Sequence, residues 1–308
     1  MKPLMEIQNV TKVIKGRTII DSLSFNVNQG EVFGFLGPNG AGKTTTIRMI
    51  VGLIGMTSGD IKIMGHSIKT DFEQAISHIG AIVENPEMYK FMSGYQNLQH
   101  FSRMSNGISK KKIDETVELV GLTDRIHDKV KTYSLGMRQR LGLAQCLLHD
   151  PKILILDEPT NGLDPAGIRE IRDHLKMLTR EKNMAVIVSS HMLSEMEMMC
   201  DRIGIIQSGK LVDVQQIHDF VNGEENIYEF EVAEPMKAFN LLKEIQPSIE
   251  IQQTNNGIAL QLKKESIPSM IKQLVHHDIQ IYGIKEVTKT LEDRFLEVTS
   301  HKEEKINA

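Results

Sequence analysis

The sequence has no tryptophan and only two cysteines among its 308 residues. Cys146 and Cys200 lie in stretches that are predicted to be helical, and their spacing is neither that of a zinc site nor that of a disulfide framework. Cysteine chemistry therefore gives no basis for a metal centre or a disulfide-stapled fold. We expect both residues to be small buried hydrophobes.

Long apolar runs are also missing. No stretch approaches the roughly 18 apolar residues that cross a bilayer. The first residues, Met1 to Glu6, contain no apolar core of a signal peptide. We therefore expect the chain itself to be soluble and cytosolic.

A strong excess of charge of either sign is absent as well, because 36 basic and 40 acidic residues leave a net charge of -4. This balance gives no overall electrostatic reason to expect a nucleic-acid partner. The apolar fraction is 40% over 308 residues. That length and composition predict about two domains with substantial cores.

One glycine-rich stretch is the most informative motif of the chain. It reads Gly37-Pro38-Asn39-Gly40-Ala41-Gly42-Lys43-Thr44-Thr45 and fits the pattern G-x-x-x-x-G-K-[ST]. A short apolar run precedes it and a predicted helix follows, which is the context of a phosphate-binding loop. The glycines let backbone N–H groups approach phosphate oxygens, Lys43 adds an ammonium, and the Thr44 hydroxyl is a ligand for Mg²⁺. All nine residues are predicted to hold the nucleotide.

The surrounding pattern predicts an α/β domain over residues 1–220. Its opening is antiparallel, with strands expected at 4–10, 17–20 and 23–27. Near-continuous apolar runs predict buried parallel strands at 31–36, 152–156 and 184–189. A further strand is expected at 79–83, and a strand pair at 202–207 and 210–214 ends the domain. Residues 88 to 149 are predicted to be helical, as part of a helical insert at about 85–150.

An acidic connector at 221–226 marks the predicted boundary of a second domain, residues 227–308. Its order of strand, helix, strand pair, helix and strand predicts a small α+β unit, and this split β-α-β pattern resembles ferredoxin-like modules. A terminal helix is expected near Thr290 to Thr299. Nothing in this domain has catalytic spacing.

Four further motifs follow the phosphate loop in a fixed order. They are Tyr133-Ser134-Leu135-Gly136-Met137-Arg138-Gln139-Arg140, Ile153-Leu154-Ile155-Leu156-Asp157-Glu158-Pro159-Thr160, Gly162-Leu163-Asp164 and Ser189-Ser190-His191. Together with the loop, this ordered set resembles the nucleotide-binding subunit of an ATP-binding cassette (ABC) transporter over residues 4 to about 215. The resemblance implies a P-loop NTPase core that binds and hydrolyses ATP.

The resemblance also implies catalytic roles. Asp157 ends a buried strand and is expected to hold Mg²⁺ and its waters together with Thr44, and Lys43 binds the phosphates. Glu158 is placed to orient or deprotonate the water that attacks the γ-phosphate. His191 follows a strand and is expected to sense the γ-phosphate through a hydrogen bond.

A second set of residues is implied to act on another subunit. In the family, the loop that contains Ser134 and Gly136 binds the γ-phosphate held by the other subunit, and Asp164 lies where the two sites communicate. Two chains are therefore expected to form a homodimer that closes on ATP and opens after hydrolysis, driving a separate membrane permease. Such a chain is peripheral, on the inner face of the membrane.

Three positions depart from the family pattern. Leu135-Gly136-Met137 replaces the usual Gly-Gly-Gln, so phosphate contacts rely more on Ser134 and Gly136. Glu84 stands where a glutamine is usual, which places an anion near Mg²⁺ as a predicted nucleotide and metal ligand. Ile14 lies near the position of the aromatic that usually stacks on adenine, so the base is expected to gain only apolar contact.

The three departures point to one group within the ABC family. Glu84-Asn85-Pro86, the signature motif and a C-terminal extension of this size resemble the ATPases of bacitracin and lantibiotic exporters. Sodium and other drug exporters share much of this pattern. The permease is expected to contact residues 84–97, where Tyr89, Phe91, Met92 and Tyr95 offer an apolar groove, although these aromatics would suit core packing as well.

Two functions of other classes remain as alternatives. A soluble cassette ATPase that acts on nucleic acid usually has two cassettes or a coiled-coil insertion, and this chain has one phosphate loop and no sustained heptads. A regulatory module that binds ATP without turnover is disfavoured by the presence of Glu158 and His191.

Overall fold

The computed structural model describes residues 3–105, 107–222, 226–246 and 249–287. The described chain divides into two units, Met1–Gln215 and Gln216–Ala308. The sequence places the boundary slightly later, between residues 220 and 227. The terminal helix expected near Thr290 to Thr299 lies outside the described residues.

The first unit contains ten strands and seven α-helices in its described residues. The strands are β1 (Pro3–Ile14), β2 (Arg17–Asn28), β3 (Val32–Leu36), β4 (Ser58–Ile63), β5 (His66–Ser67), β6 (Ile79–Ile82), β7 (Ile153–Asp157), β8 (Ala185–Ser190), β9 (Arg202–Gln207) and β10 (Lys210–Gln216). The helices are α1 (Lys43–Ile50), α2 (Phe72–Ile76), α3 (Gly94–Ser102), α4 (Lys110–Leu119), α5 (Leu135–Leu147), α6 (Pro165–Lys182) and α7 (Leu193–Met199).

A six-stranded sheet in the order β10-β9-β3-β8-β7-β6 forms the centre of this unit. Strands β3, β7 and β8 are buried at every position, as their apolar runs predict for parallel strands covered on both faces. In the register, Leu36 pairs with Ser190 and Asp157 pairs with Ser189. The carboxyl ends of three neighbouring strands therefore meet at one edge, which is where ligands bind in such sheets.

A four-stranded antiparallel sheet, in the order β2-β1-β4-β5, shares a hydrophobic core with the central sheet and α1. The prediction of two short strands at 17–20 and 23–27 is wrong, because β2 runs unbroken from Arg17 to Asn28. Its register against β1 shifts between the pairs Val10–Leu23 and Lys12–Ile20, and Ser22 has a φ of 51°. The break in the apolar alternation is thus a β-bulge within one strand.

The helical insert contains α3, α4 and α5 and two short 3-10 turns, Thr123–Arg125 and Val130–Thr132. Residues 88–93, which were expected to be helical, form a loop that precedes α3. Serine residues cap all three helices: the side chains of Ser93, Ser109 and Ser134 each accept a hydrogen bond from a backbone N–H of the first turn.

The second unit contains α8 (Ile217–Asn222), β11 (Asn226–Val232), α9 (Pro235–Ile245), β12 (Ile251–Thr254), β13 (Gly257–Leu262), a 3-10 turn (Lys264–Ser266), α10 (Ile267–His276) and β14 (Ile281–Val287). Its strands form an antiparallel sheet in the order β12-β13-β11-β14. Leu242 of α9 and Leu274 of α10 share a core with Phe230 and Leu260 of the sheet. This order and these two connecting helices make a split β-α-β unit.

Candidate active site

The loop between β3 and α1 can be built only with glycine at two of its positions. A β-carbon on Gly37 would lie 2.3 Å from the carbonyl oxygen of Ile206, and one on Gly42 would lie 2.4 Å from Cδ1 of Ile20. Gly42 also has a φ of 111°, a conformation that side chains disfavour. The backbone therefore turns tightly into the first turn of α1, whose unpaired N–H groups form an anion-binding end.

Lys43, the first residue of α1, is folded back over this loop. Its Nζ donates to the carbonyl oxygens of Gly37 at 2.6 Å and Pro38 at 3.3 Å. It also lies 3.7 Å from Oε1 of Glu158, and only 6% of its side chain is exposed. Burial lowers the pKa of Lys43, while the carboxylates of Glu158 and Asp157 oppose that shift. These contacts hold the buried ammonium over the loop.

A pocket of about 160 Å³ opens at this point. It is lined by Ile19, Asn39, Gly40, Gly42, Lys43, Thr44, Thr45 and Glu158. Six of the nine residues predicted to hold the nucleotide thus line the pocket, and Gly37, Pro38 and Ala41 lie in the loop behind it. The apolar residue of the pocket is Ile19, for which the sequence predicted no contact with the nucleotide. Ile14, the residue considered for adenine contact, is 43% exposed at the end of β1.

The carboxylates at the end of β7 are fixed by the neighbouring strand. Asp157 is 2% exposed and accepts a hydrogen bond of 2.5 Å from Oγ of Ser189. The same Ser189 hydroxyl accepts a bond of 3.0 Å from the backbone N–H of Glu158. Glu158 adopts a φ of 52°, which directs the chain out of the strand. The motif Ser189-Ser190-His191 did not predict this role of Ser189.

Glu158 and His191 are in direct contact. Nδ1 of His191 lies 2.7 Å from Oε2 of Glu158, while Oε1 of the same carboxylate faces Lys43. Since a carboxylate only accepts, Nδ1 donates this bond and Nε2 is left for another partner. The structure therefore brings together Lys43, Asp157, Glu158 and His191, as the sequence predicts for a site that hydrolyses a phosphate bond.

Ser134, Gly136 and Asp164 lie together in a different cleft of about 390 Å³. Ser134 caps α5 by accepting from the N–H of Met137 at 3.2 Å, and Asp164 caps α6 by accepting from the N–H of Gly167 at 3.0 Å. The two helices thus begin at the same cleft. Among the described residues, the linings of this cleft and of the Lys43 pocket share no member.

Glu84 is the predicted ligand that stands apart from both groups. Its carboxylate pairs with Nη2 of Arg48, and 60% of its side chain is exposed. Within the described chain, Glu84 is not one of the residues that line the Lys43 pocket. The structure therefore does not bring Glu84 into the pocket that contains Thr44.

Comparison with known proteins identifies the family. Residues 20–161 match the family model described as ABC transporter. The chain is 64% identical over 306 residues to an uncharacterized ABC transporter ATP-binding protein, YhcH of Bacillus subtilis (strain 168), covering 99% of both chains. The chain belongs to the ABC transporter ATP-binding proteins. Its fold class, a P-loop NTPase core, is confirmed, and so is the general activity of ATP hydrolysis coupled to transport.

The chain is also similar to a bacitracin transport protein and to a solved structure of an ABC subunit. The bacitracin transport ATP-binding protein BcrA of Bacillus licheniformis is 38% identical over 299 residues, covering 97% of this chain and 98% of BcrA. A solved structure of an ATP-binding subunit of an ABC transporter is 26% identical, with a TM-score of 0.63, and covers 70% of this chain and 91% of that one. Within residues 3–105, 107–222, 226–246 and 249–287, no helix has both the length and the hydropathy to cross a membrane.

The oxygen ligands that this ABC ATPase offers suit a magnesium ion whose other ligands come from the phosphates of the nucleotide and from water. Asp157 supplies a buried carboxylate beside the pocket and Thr44 supplies a hydroxyl within it. Across the described residues, no group of three or more His, Cys, Asp or Glu side chains forms a cage for a metal. Mg²⁺ characteristically takes one or two protein ligands together with phosphates and water, so the residues present fit this ion.

Proposed function

We propose that this ATPase powers the export of a drug or antimicrobial peptide, of the bacitracin or lantibiotic class, through a separate membrane subunit. The observation that carries the proposal is the likeness to BcrA, which extends over 97% of this chain and therefore includes the second unit. The chain then works at the inner face of the membrane, held there by its permease.

The positions of the site residues support the following proposed roles. Lys43 and the loop N–H groups bind the β- and γ-phosphates, and Glu158 orients or deprotonates the attacking water. His191 contacts the γ-phosphate through Nε2 while Glu158 holds the ring at Nδ1. Nε2 donates there only in the imidazolium form, because the Nδ1 proton is shared with Glu158. Thr44 and Asp157 would hold a magnesium ion, which would supply positive charge to the phosphates. Glu84 would join them only by moving toward the pocket, because it lies outside the lining of that pocket.

The active form is proposed to be a homodimer with two ATP sites. Ser134 and Gly136 lie outside the pocket of their own Lys43, yet they stand at the N-terminus of α5, which favours an anion. In a two-fold dimer, each chain completes the pocket of its partner, and Asp164 lies between the two sites. ATP then closes the dimer and hydrolysis opens it, which converts the reaction into movement of the permease.

The permease is proposed to dock on the loop before α3. Tyr89 is 43% exposed and Phe91 is 68% exposed. The centroids of their rings lie 5.9 Å apart. The loop is held from behind by Asn97, a buried residue whose side chain bonds to both the N–H and the carbonyl oxygen of Tyr89. A fixed loop that presents two exposed rings suits an apolar helix of a membrane partner.

Changing Tyr89 and Phe91 to Ala is expected to uncouple the transporter. Because neither ring lines the Lys43 pocket, ATP affinity should stay within about twofold, whereas transport with the permease should fall about tenfold or more, as expected for loss of a buried aromatic anchor. Transport in vesicles and ATP binding measure the two effects. The control is Met198→Ala, an exposed apolar residue on α7. Equal loss of binding and transport would show that the loop is not the coupling surface.

The substrate class is tested with the complete transporter. The chain should co-purify with a protein of about six membrane spans, and in vesicles bacitracin should stimulate ATP hydrolysis and be transported. Stimulation by nucleic acid without any membrane partner would favour the soluble alternative. Dependence on a sodium gradient, with no response to peptide, would favour a sodium exporter.

A further inference from the structure

One buried carboxylate near the site has no place in the roles described above. Glu195, in the first turn of α7, is 4% exposed. Its Oε2 accepts hydrogen bonds from Oγ1 of Thr160 at 2.5 Å and from Oγ of Ser190 at 3.5 Å. Both hydrogen-bond partners of Glu195 in the described chain are hydroxyl groups. Burying a charged carboxylate whose partners are neutral costs free energy of folding. A contribution of this carboxylate to structure or function must offset that cost.

The two hydroxyls belong to the two loops that carry the proposed catalytic groups. Thr160 lies two residues after Glu158, and Ser190 immediately precedes His191. Ser190 also accepts from the N–H of Met192, on the far side of His191, at 2.9 Å. One carboxylate oxygen therefore links the chain just after Glu158 to the chain on both sides of His191.

Together with the hydrogen bonds of Ser189, the bonds of Glu195 connect the end of β7 to the end of β8. Ser189 holds Asp157 and the N–H of Glu158 at the ends of the strands, and the Glu158–His191 contact of 2.7 Å lies beyond them. Glu195 ties the same two loops from the protein interior. His191 itself is 42% exposed, so packing alone holds its ring loosely.

We propose that Glu195 is a positioning residue for ATP hydrolysis, which fixes the loops of Glu158 and His191 relative to each other through Thr160 and Ser190. This inference rests on the roles proposed above for Glu158 and His191. Within the described residues, the hydrogen bonds of Glu195 go to Thr160 and Ser190 and not to the side chains of Glu158 and His191, and Glu195 does not line the Lys43 pocket. Its loss should therefore slow the chemical step and leave binding of MgATP unchanged.

The first test compares three substitutions on one helix. Glu195→Met removes the acceptor at similar volume and is expected to lower kcat about tenfold or more while KM for MgATP stays within about twofold, because small misplacement of reacting groups is costly. Glu195→Gln keeps a carbonyl oxygen that can accept both bonds, so it should retain kcat within about threefold. The matched control is Glu197→Met, an exposed residue two positions along, which should leave kcat unchanged.

A double-mutant cycle with His191→Ala separates positioning from simple loss of stability. If Glu195 acts through the His191 loop, Glu195→Met should lower kcat much less in the His191→Ala background than in the native protein. An equal further loss in both backgrounds would overturn the proposal, as would a native-like kcat for Glu195→Met. If His191→Ala alone leaves kcat unchanged, the role given to His191 is wrong, and the claim that Glu195 positions it is wrong with it.

Thr160→Val provides a second variant in case Glu195→Met does not fold. It removes the hydroxyl donor at nearly constant volume and leaves Glu195 in place. The expected result is the same pattern, a lowered kcat with an unchanged KM for MgATP. A rise in KM that matches the fall in kcat/KM would contradict the proposal, since it would show a defect in the nucleotide pocket.

Discussion

Glu158→Gln is expected to lower kcat for ATP hydrolysis by about 100-fold or more, the contribution typical of a positioned general base. The substitution keeps the size of the side chain but removes the charge that faces Nζ of Lys43 at 3.7 Å and Nδ1 of His191 at 2.7 Å. ATP binding should persist, because the loop N–H groups and Lys43 are unchanged. Release of inorganic phosphate under saturating MgATP measures the effect, and the exposed Glu197→Gln is the matched control.

The same variant should accumulate as an ATP-bound dimer. If hydrolysis opens the dimer, a chain that binds but cannot hydrolyse ATP remains closed, and light scattering in MgATP should give twice the mass of the chain. A Glu158→Gln chain with native kcat would rule out the role of Glu158. A slow chain that stays monomeric in MgATP, also with its permease present, would rule out the closing step.

Lys43→Ala is expected to weaken MgATP binding by about 10- to 100-fold, because hydrogen bonds from a charged donor contribute about 1.5–3 kcal/mol. Hydrolysis should fall further, since the ammonium also stabilises charge that develops on the phosphates. The lowered pKa of Lys43 adds a pH dependence: its charge is lost at lower pH than that of an exposed lysine, so affinity should weaken as the pH rises through that range.

Equilibrium binding of a fluorescent ATP analogue measures the affinity of Lys43→Ala. Lys112→Ala is a suitable control, because this lysine pairs with Asp150 in the helical insert and lies outside the nucleotide pocket. Native affinity in Lys43→Ala would show that the loop backbone alone binds the phosphates, and would remove Lys43 from the site.

The sequence was informative where a pattern reflects local physics. Short apolar runs predicted the buried strands β3, β7 and β8, and the spacing of glycines and Lys43 predicted the loop between β3 and α1. Short runs that are apolar at every position are typical of parallel strands buried on both faces of a sheet. The carboxyl ends of such strands lie at one edge of the sheet. The position of Asp157 at the carboxyl edge of the sheet therefore followed from the strand pattern, whereas the position of His191 near the phosphates was implied by the family resemblance.

The sequence was less informative where a contact depends on tertiary packing. Glu195 and Glu197 are equivalent in the pattern of α7, and only the turn of the helix buries one and exposes the other. The pairing of Glu84 with Arg48 joins residues 36 positions apart, which no local pattern predicts. The bulge at Ser22 was mistaken for a break between strands, because an extra residue reverses the apolar alternation just as a turn does.

The central claim is that each ATP site is built from two chains, and mixing two inactive variants tests it most directly. Gly136→Asp places an anion at the cleft proposed to receive the partner's γ-phosphate. The change should fold, because an added β-carbon meets nothing closer than Leu163 at 3.8 Å and an acidic residue suits the first turn of a helix. Lys43→Ala disables the other half of the site.

Each variant alone should be nearly inactive. In a mixed dimer, the intact loop of the Gly136→Asp chain faces the intact Ser134–Gly136 segment of the Lys43→Ala chain, so one native site is restored. An equimolar mixture with its permease should regain up to about one quarter of native hydrolysis, since half the dimers are mixed and each has one of two sites. Activity no higher than that of the two variants assayed separately would contradict a shared site.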